Sequence, residues 1–316
     1  MTGEIQNDLS WRTRAPLPQP RAGYMAAVVD GRYVLAGGSY WNANEKVWTS
    51  RVDEFESASN TWSEAAPLPE PRSDAACVAL QNDLYIFGGG DHLHARQDAL
   101  VLRNKKWVEL PDLALPEPRL YASAVASGDS IYVLGGMSKA GDYASAQNTL
   151  WICNVNKPRG PWETPPGFPG PGLISMAAAV VSDKIYIFGG AYAAENGVAN
   201  SNSVLEFDCT LRRWRCLPDL PVSRRCWCAV PLPEAILLIG GFTSTYEKDV
   251  FRYDLRSHSL TPAGLLPHGM CDAKFFRLGG RVIGTGGEVA DRIRGASTFE
   301  SALPPHWIAN PPPTRP

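Results

Sequence analysis

The chain has 316 residues, with 30 basic and 32 acidic side chains and a formal charge of −2. That balance gives no electrostatic case for a nucleic acid or an anionic membrane as partner, and no apolar run approaches the ~20 residues of a spanning helix. The seven cysteines, Cys77, Cys153, Cys209, Cys216, Cys226, Cys228 and Cys271, are odd in number and read as free thiols rather than a disulfide frame.

In chain order, Met1 to Asp8 shows neither a basic n-region nor an apolar h-region. The expected location is cytoplasmic, or periplasmic if a leader has been removed. Residues 1–10 read as a loose tail. Trp11 then opens a segment running to Arg21 that matches Trp62 to Arg72 in spacing. After it comes a unit that the chain repeats. A small-residue strand (Ala26-Ala27-Val28-Val29) precedes an apolar run (Tyr33-Val34-Leu35-Ala36) that ends in a glycine doublet, Gly37-Gly38. The doublet recurs at Gly88-Gly89, Gly135-Gly136, Gly189-Gly190, Gly240-Gly241 and Gly286-Gly287, with second glycines 51, 47, 54, 51 and 46 residues apart. Runs such as Leu84-Tyr85-Ile86-Phe87, without helical periodicity, predict strands buried on both faces.

Downstream of the doublets stand Trp62, Trp107, Trp162 and Trp214, each suited to filling the wide outer space between neighbouring sheets. The fifth unit has Leu260 where tryptophan is expected. Proline-rich turns follow, as in Pro67-Leu68-Pro69-Glu70-Pro71-Arg72, because proline fixes φ and removes a donor.

A period near 50 with these marks in phase resembles the kelch repeat, which forms the blades of a β-propeller. The resemblance covers nearly the whole chain. It implies an all-β fold: one six-bladed kelch propeller over residues 11–308, with a proline-rich tail at 309–316. Trp11 has no blade before it, and the last doublet has no obvious outer strand after it. The N-terminal strand is therefore expected to complete blade six, closing the ring and removing free sheet edges. Trp307 is the rival for that outer strand.

Loops after the second strands and turns between blades share one face of a propeller. Arg21, Arg72, Arg119 and Arg224 lie just after such turns, while Gly172 and Gly269 break the pattern at the ends of blades three and five. Four guanidiniums around a funnel would suit a carboxylate or an acidic peptide. The alternative is that each braces its own turn through backbone carbonyls. Glu288 follows the last doublet and Arg294 stands six residues later. The carboxylate there would serve as a base, or else form a surface ion pair.

A narrower resemblance rests on Gly287-Glu288 with Arg294, Arg21-Ala22-Gly23, Ala36-Gly37-Gly38 with Glu45-Lys46-Val47-Trp48, Asn148-Thr149-Leu150-Trp151 and Gly170-Pro171-Gly172. These look like the cyclically permuted sialic-acid mutarotases (N-acetylneuraminate epimerases). The family's Lys-Pro-Gly in the active loop is replaced here by Val289-Ala290-Asp291-Arg292. The resemblance implies anomer exchange of a sialic-acid-like sugar, an isomerase reaction with Glu288 as base and Arg294 holding substrate. Arg21, Arg72, Arg119, Arg224, Trp41 and Lys46 would be substrate contacts. The alternative function is a non-catalytic kelch interaction module binding a peptide or glycan on the same face. His92 and His94 alternate without a third ligand in phase, so neither a metal nor another cofactor is expected. No Gly-rich loop leads into Lys-Ser/Thr, which argues against an NTPase.

Overall fold

The structure, a computed structural model, describes residues 9–157 and 162–309. Six antiparallel sheets form a six-bladed β-propeller. Blade one consists of Met25–Val29, Arg32–Ala36, Val52–Glu56 and Thr61–Ala65, in that order from the axis outward. Blades two, four and five follow the same order, starting from the inner strands Ala76–Leu80, Ala177–Val181 and Cys228–Pro231. Among the described residues blade three has three strands, and its outer position is held by a bridge between Ile152 and Glu163. Inner strands touch their neighbours all the way round, and Lys274–Leu278 of blade six meets Met25–Val29 of blade one.

The ring is closed by the N-terminal strand. Arg12–Arg14 pairs antiparallel with Thr298–Ala302, Arg12 opposite Glu300, and is the fourth strand of blade six. Trp11 precedes that strand and packs edge-on against Phe275, with centroids 5.5 Å apart. Trp307 is not in a strand; it sits buried in a short helix, Pro305–Ile308, within the same apolar cluster as Trp11. Of the N-terminal segment expected to be a loose tail, residues 1–8 lie outside the described residues. Leu9 donates its amide to Ala263 (2.8 Å) and is buried against blade five. In the C-terminal segment, residues 310–316 are likewise outside the described residues.

The glycine doublets have a steric cause. Gly37 has φ +64°, and a Cβ there would lie 2.5 Å from the carbonyl oxygen of Arg72 in the next blade. Only glycine tolerates both demands. Gly38 then donates its N–H to that same oxygen at 2.8 Å. The staple recurs around the ring: Gly89 to Arg119, Gly136 to Leu173, Gly190 to Arg224, Gly241 to Met270 and Gly287 to Arg21. The outer tryptophans make a second set of links. Their indole N–H groups reach a backbone carbonyl of the preceding blade's outer turn, Trp62 to Ala15, Trp107 to Ala66, Trp162 to Ala114 and Trp214 to Pro166, at 2.8–3.1 Å. Between blades, the apolar second strands fill the core; Leu35, Ile86, Leu134, Ile187 and Leu238 are fully enclosed.

Candidate functional site at the funnel face

Each turn entering a blade is fastened to the loop that follows the doublet of the same blade. The bridges are Ala22 with Ser39, Ser73 with Gly90, Leu120 with Met137, Ile174 with Ala191, Arg225 with Phe242 and Cys271 with Glu288. They bring six loops onto one face around the axis. Just inside them lies a ring of six residues, one per blade: Gly23, Asp74, Tyr121, Ser175, Cys226 and Asp272. All have φ between +51° and +65°. Five links of the ring are backbone hydrogen bonds, each N–H donating to the carbonyl of the preceding blade's ring residue at 2.7–3.1 Å. At the sixth, Gly23 N–H donates instead to the Asp272 carboxylate at 2.5 Å.

These residues make a polar funnel mouth. Asp272 also accepts from Lys274 Nζ at 3.1 Å, and Asp74 accepts from Ser73 Oγ at 2.6 Å. The carboxyl of Asp74 lies over Gly23, 2.6 Å from where a Cβ would stand. Burial, followed by the charge of Asp272, pushes the Asp74 carboxyl above the ordinary carboxylate range. Burial alone would lower the Lys274 pKa, but the charge of Asp272 more than offsets it, and the ammonium is held. Below the mouth, the inner strands enclose an axial cavity of about 450 Å³ walled by Ala26, Cys77, Ala124, Ala178 and Ala229.

The four turn arginines are not an open clamp; they are the braces of the alternative reading. Arg21, Arg72, Arg119 and Arg224 are 0–2% exposed. Arg21 donates to Gly37 O and pairs with Asp53 at 2.7 Å. Arg72 binds Gly88 O and Asp98, and Arg224 binds Gly240 O and Asp249. Arg119 pairs with Glu117 and lies 4.4 Å over the ring of Trp151. Arg21, Arg72 and Arg224 thus tie the turn that enters their own blade to that blade's doublet and to an aspartate at its third strand, whereas Arg119 bonds Pro118 O and Glu117 within its own turn and reaches Thr149 Oγ1 at 3.4 Å. The blades without a brace have Leu173 and Met270 at the equivalent place, since these residues, rather than Gly172 and Gly269, accept the doublet staple.

Glu288 and Arg294 are brought together. Glu288–Ala290 and Ile293–Arg294 form a hairpin in which the two residues face each other and pair as ions. The Arg294 side chain is only 7% exposed and that of Glu288 30%. Burial lowers the pKa of Arg294, with Asp272 and Asp74 opposing. The other oxygen of Glu288 faces the Cys271 thiol at 3.8 Å.

Trp41 and Lys46 sit opposite each other on the hairpin of Ser39–Asn42 and Glu45–Trp48. Arg292 of blade six lies 5.0 Å over Trp41, and Lys46 lies 5.1 Å over Trp48. His92 and His94 are on a loop, not a strand face. His92 stacks on Trp48 at 4.9 Å, and His94 contacts Asp91. In blade five Arg225 lies 4.6 Å over Phe242, which meets Tyr246 edge-on. Cys226 belongs to the ring, and the inner strand of blade five starts at Cys228. All seven cysteines are free, and Cys216 is exposed.

Sequence reasoning missed the ring, above all Asp74 and Asp272, and the Lys274 ammonium that Asp272 holds. The signal was present. The ring positions 23, 74, 121, 175, 226 and 272 are spaced 51, 47, 54, 51 and 46 apart, the same intervals as the doublets. Five different residue types at one backbone position concealed it.

Compared with known proteins, residues 32–266 match the family model described as the Attractin/LZTR1 β-propeller. The chain is similar to mouse Kelch-like protein 35, 27% identical over 239 residues, covering 73% of this chain and 38% of that protein. It is similar to Kelch-like protein 25 of Xenopus tropicalis, 23% identical over 271 residues, 84% of this chain and 36% of that one. It also resembles β-scruin of Limulus polyphemus, 28% identical over 196 residues, 59% and 20%. The chain thus spans between 20% and 38% of the length of these relatives.

Proposed function

This chain belongs to the Attractin/LZTR1 β-propeller family of kelch-repeat proteins, and we propose that it is a non-catalytic interaction module that binds a protein segment on its funnel face. The observation that carries this reading is the rim. Arg292 on Trp41, Lys46 on Trp48 and Arg225 on Phe242 hold cations over aromatic rings on loops fastened to the ring beneath. Tryptophan, tyrosine and arginine dominate protein-binding hot spots, and rigid placement lowers the ordering cost of association. The kelch-like relatives favour the same reading.

The test uses the propeller as bait. A binder should be lost on Trp41→Ala or Arg225→Ala and kept on Leu211→Ala, which changes an exposed side chain in the turn between the outer strands of blade four. A binder indifferent to both rim variants would overturn the reading.

The close approach of Glu288 and Arg294 favours a second reading, anomer exchange of a sialic-acid-like sugar. It requires the wild type to raise the NMR exchange rate of a sialic acid above the buffer value. It also requires Glu288→Gln to reduce the rate roughly 10²–10⁴-fold. An exchange rate equal to that of buffer leaves the module reading alone.

A further inference from the structure

We infer that Cys226 and Cys271 are a dithiol pair that a low-molecular-weight disulfide closes reversibly into a disulfide across the joint of blades five and six, with Cys226 attacking and Cys271 resolving. The joint sets the two residues side by side. Asp272 donates its amide to the carbonyl of Cys226 at 2.8 Å, so the residue before Asp272 runs beside Cys226. Cys271 is held by its bridge with Glu288, and its sulfur lies 3.8 Å from the Glu288 carboxylate. The two thiols meet in a hydrogen bond. The repeat asks for a thiol at neither place. Elsewhere glycine, aspartate, tyrosine and serine hold the ring position, and Ala22, Ser73, Leu120, Ile174 and Arg225 hold the position before it. Cys77 and Cys228, by contrast, each face a backbone carbonyl, Ala26 O at 3.6 Å and Phe275 O at 3.4 Å.

The two thiols have unlike surroundings. Cys226 is half-buried and lines a small recess of the funnel mouth together with Asp74, Tyr121, Ser175 and Lys274, while Cys271 is buried. The hydrogen bond from Cys271, with Ser175 and Arg225 assisting, draws the Cys226 thiol below its ordinary range against burial and Asp272. The thiolate is the nucleophile, so the reactive sulfur is the one beside the opening. Cys271 is pushed up, first by the same hydrogen bond and then by burial. Its chief cause therefore disappears once Cys226 carries a mixed disulfide, which is the step at which Cys271 must attack. The chemistry balances as two exchanges. The Cys226 sulfur attacks one sulfur of the small disulfide, whose S–S bond breaks, and the leaving thiolate takes up the Cys226 proton. The Cys271 sulfur then attacks the Cys226 sulfur, the mixed disulfide breaks, and the second thiolate leaves and takes up the Cys271 proton. The protein pair gives up two electrons and two protons, and the small disulfide becomes two thiols.

The experiment equilibrates the whole reduced chain at neutral pH with bis(2-hydroxyethyl) disulfide and its thiol in varied ratio. Remaining thiols are blocked with N-ethylmaleimide, and the digested peptides are read by mass spectrometry. The expected product is a peptide pair joined through Cys226 and Cys271, which grows with the disulfide-to-thiol ratio and is removed by dithiothreitol. Cys271→Ser should stop the reaction at the mixed disulfide on Cys226, and Cys226→Ser should leave Cys271 unmodified. In the wild type, iodoacetamide should alkylate Cys226 at least about tenfold faster than Cys271, which reads the two roles without a variant that could misfold. A native chain with no joined peptide at any ratio, a joined peptide that forms only in denaturant, or Cys226 joined equally to Cys228 would overturn the pair. Alkylation of Cys271 ahead of Cys226 would overturn the assigned roles.

Discussion

Gly23 and Asp272 stand 249 positions apart, yet the amide of one donates to the carboxylate of the other at 2.5 Å and so completes the ring of six. Every other link in the ring is made by backbone alone. The seam between the last blade and the first is therefore the one joint that depends on a side chain.

Asp272→Ala removes that acceptor and strands the Lys274 ammonium. We expect it to cost about 1–3 kcal/mol in denaturant unfolding, the range for an unsatisfied buried donor. Asp272→Asn keeps a carbonyl oxygen and should recover part of the loss. An alanine variant as stable as the wild type would show that the seam holds without the contact.

Asp74 should reveal itself through pH. Its carboxyl is raised by burial and by Asp272, while Lys46, Ser73 and Lys274 oppose the shift. A raised carboxyl pKa means that the folded chain holds this proton more tightly than the unfolded chain. Its contribution to stability is complete below the ordinary aspartate value of about 3.9 and is lost as pH rises through the raised folded value. Asp74→Asn should then stabilise the fold near neutrality relative to wild type, with the advantage fading as pH falls towards about 4. Denaturation midpoints at several pH values decide; an advantage that grows on acidification refutes the assignment.

The N-terminal strand is the closure of blade six. Deleting residues 1–18 exposes the edge of Thr298–Ala302, removes Arg12 from Glu300 and opens the apolar cluster around Trp11 and Leu9. The truncated chain should melt at lower temperature and self-associate through the bare edge. A monomeric truncation of unchanged melting temperature would mean that the edge is protected some other way.

Gly37 and Gly31 separate two causes of glycine's presence. Both have positive φ, but a Cβ at Gly31 meets nothing within 4 Å, whereas at Gly37 it meets the Arg72 carbonyl. Gly31→Ala should cost about 1 kcal/mol of backbone strain. Gly37→Ala should cost clearly more, because a backbone staple must move. Equal losses in unfolding free energy would reduce the doublet to a conformational preference.

The doublets, the tryptophans and the phase of the repeat made the propeller and its N-terminal closure legible from sequence, because each imposes a residue type: no side chain fits beside Arg72 O at Gly37, and the Trp62 indole spans to Ala15. The turn arginines were legible as a pattern but not as a role. Whether a guanidinium faces a ligand or its own blade depends on Asp53, Asp98 and Asp249, which lie 25 to 32 residues further on. The ring was hidden because its requirement falls on the backbone, leaving glycine, aspartate, tyrosine, serine and cysteine all admissible there. Glu288 and Arg294 were found because they share one short loop.

Antiparallel pairing of Arg12–Arg14 with Thr298–Ala302 sets residue 11 beside residue 301, so the two ends of the ring leave blade six side by side, at the end away from the loop between its second and third strands. Tension applied between those ends does not slide one strand along the other; it parts the pairs singly, starting at Arg12 and Glu300. A ring closed in this way is built to yield to a pull at one latch, and a calibrated force would peel blade six before disturbing the other five.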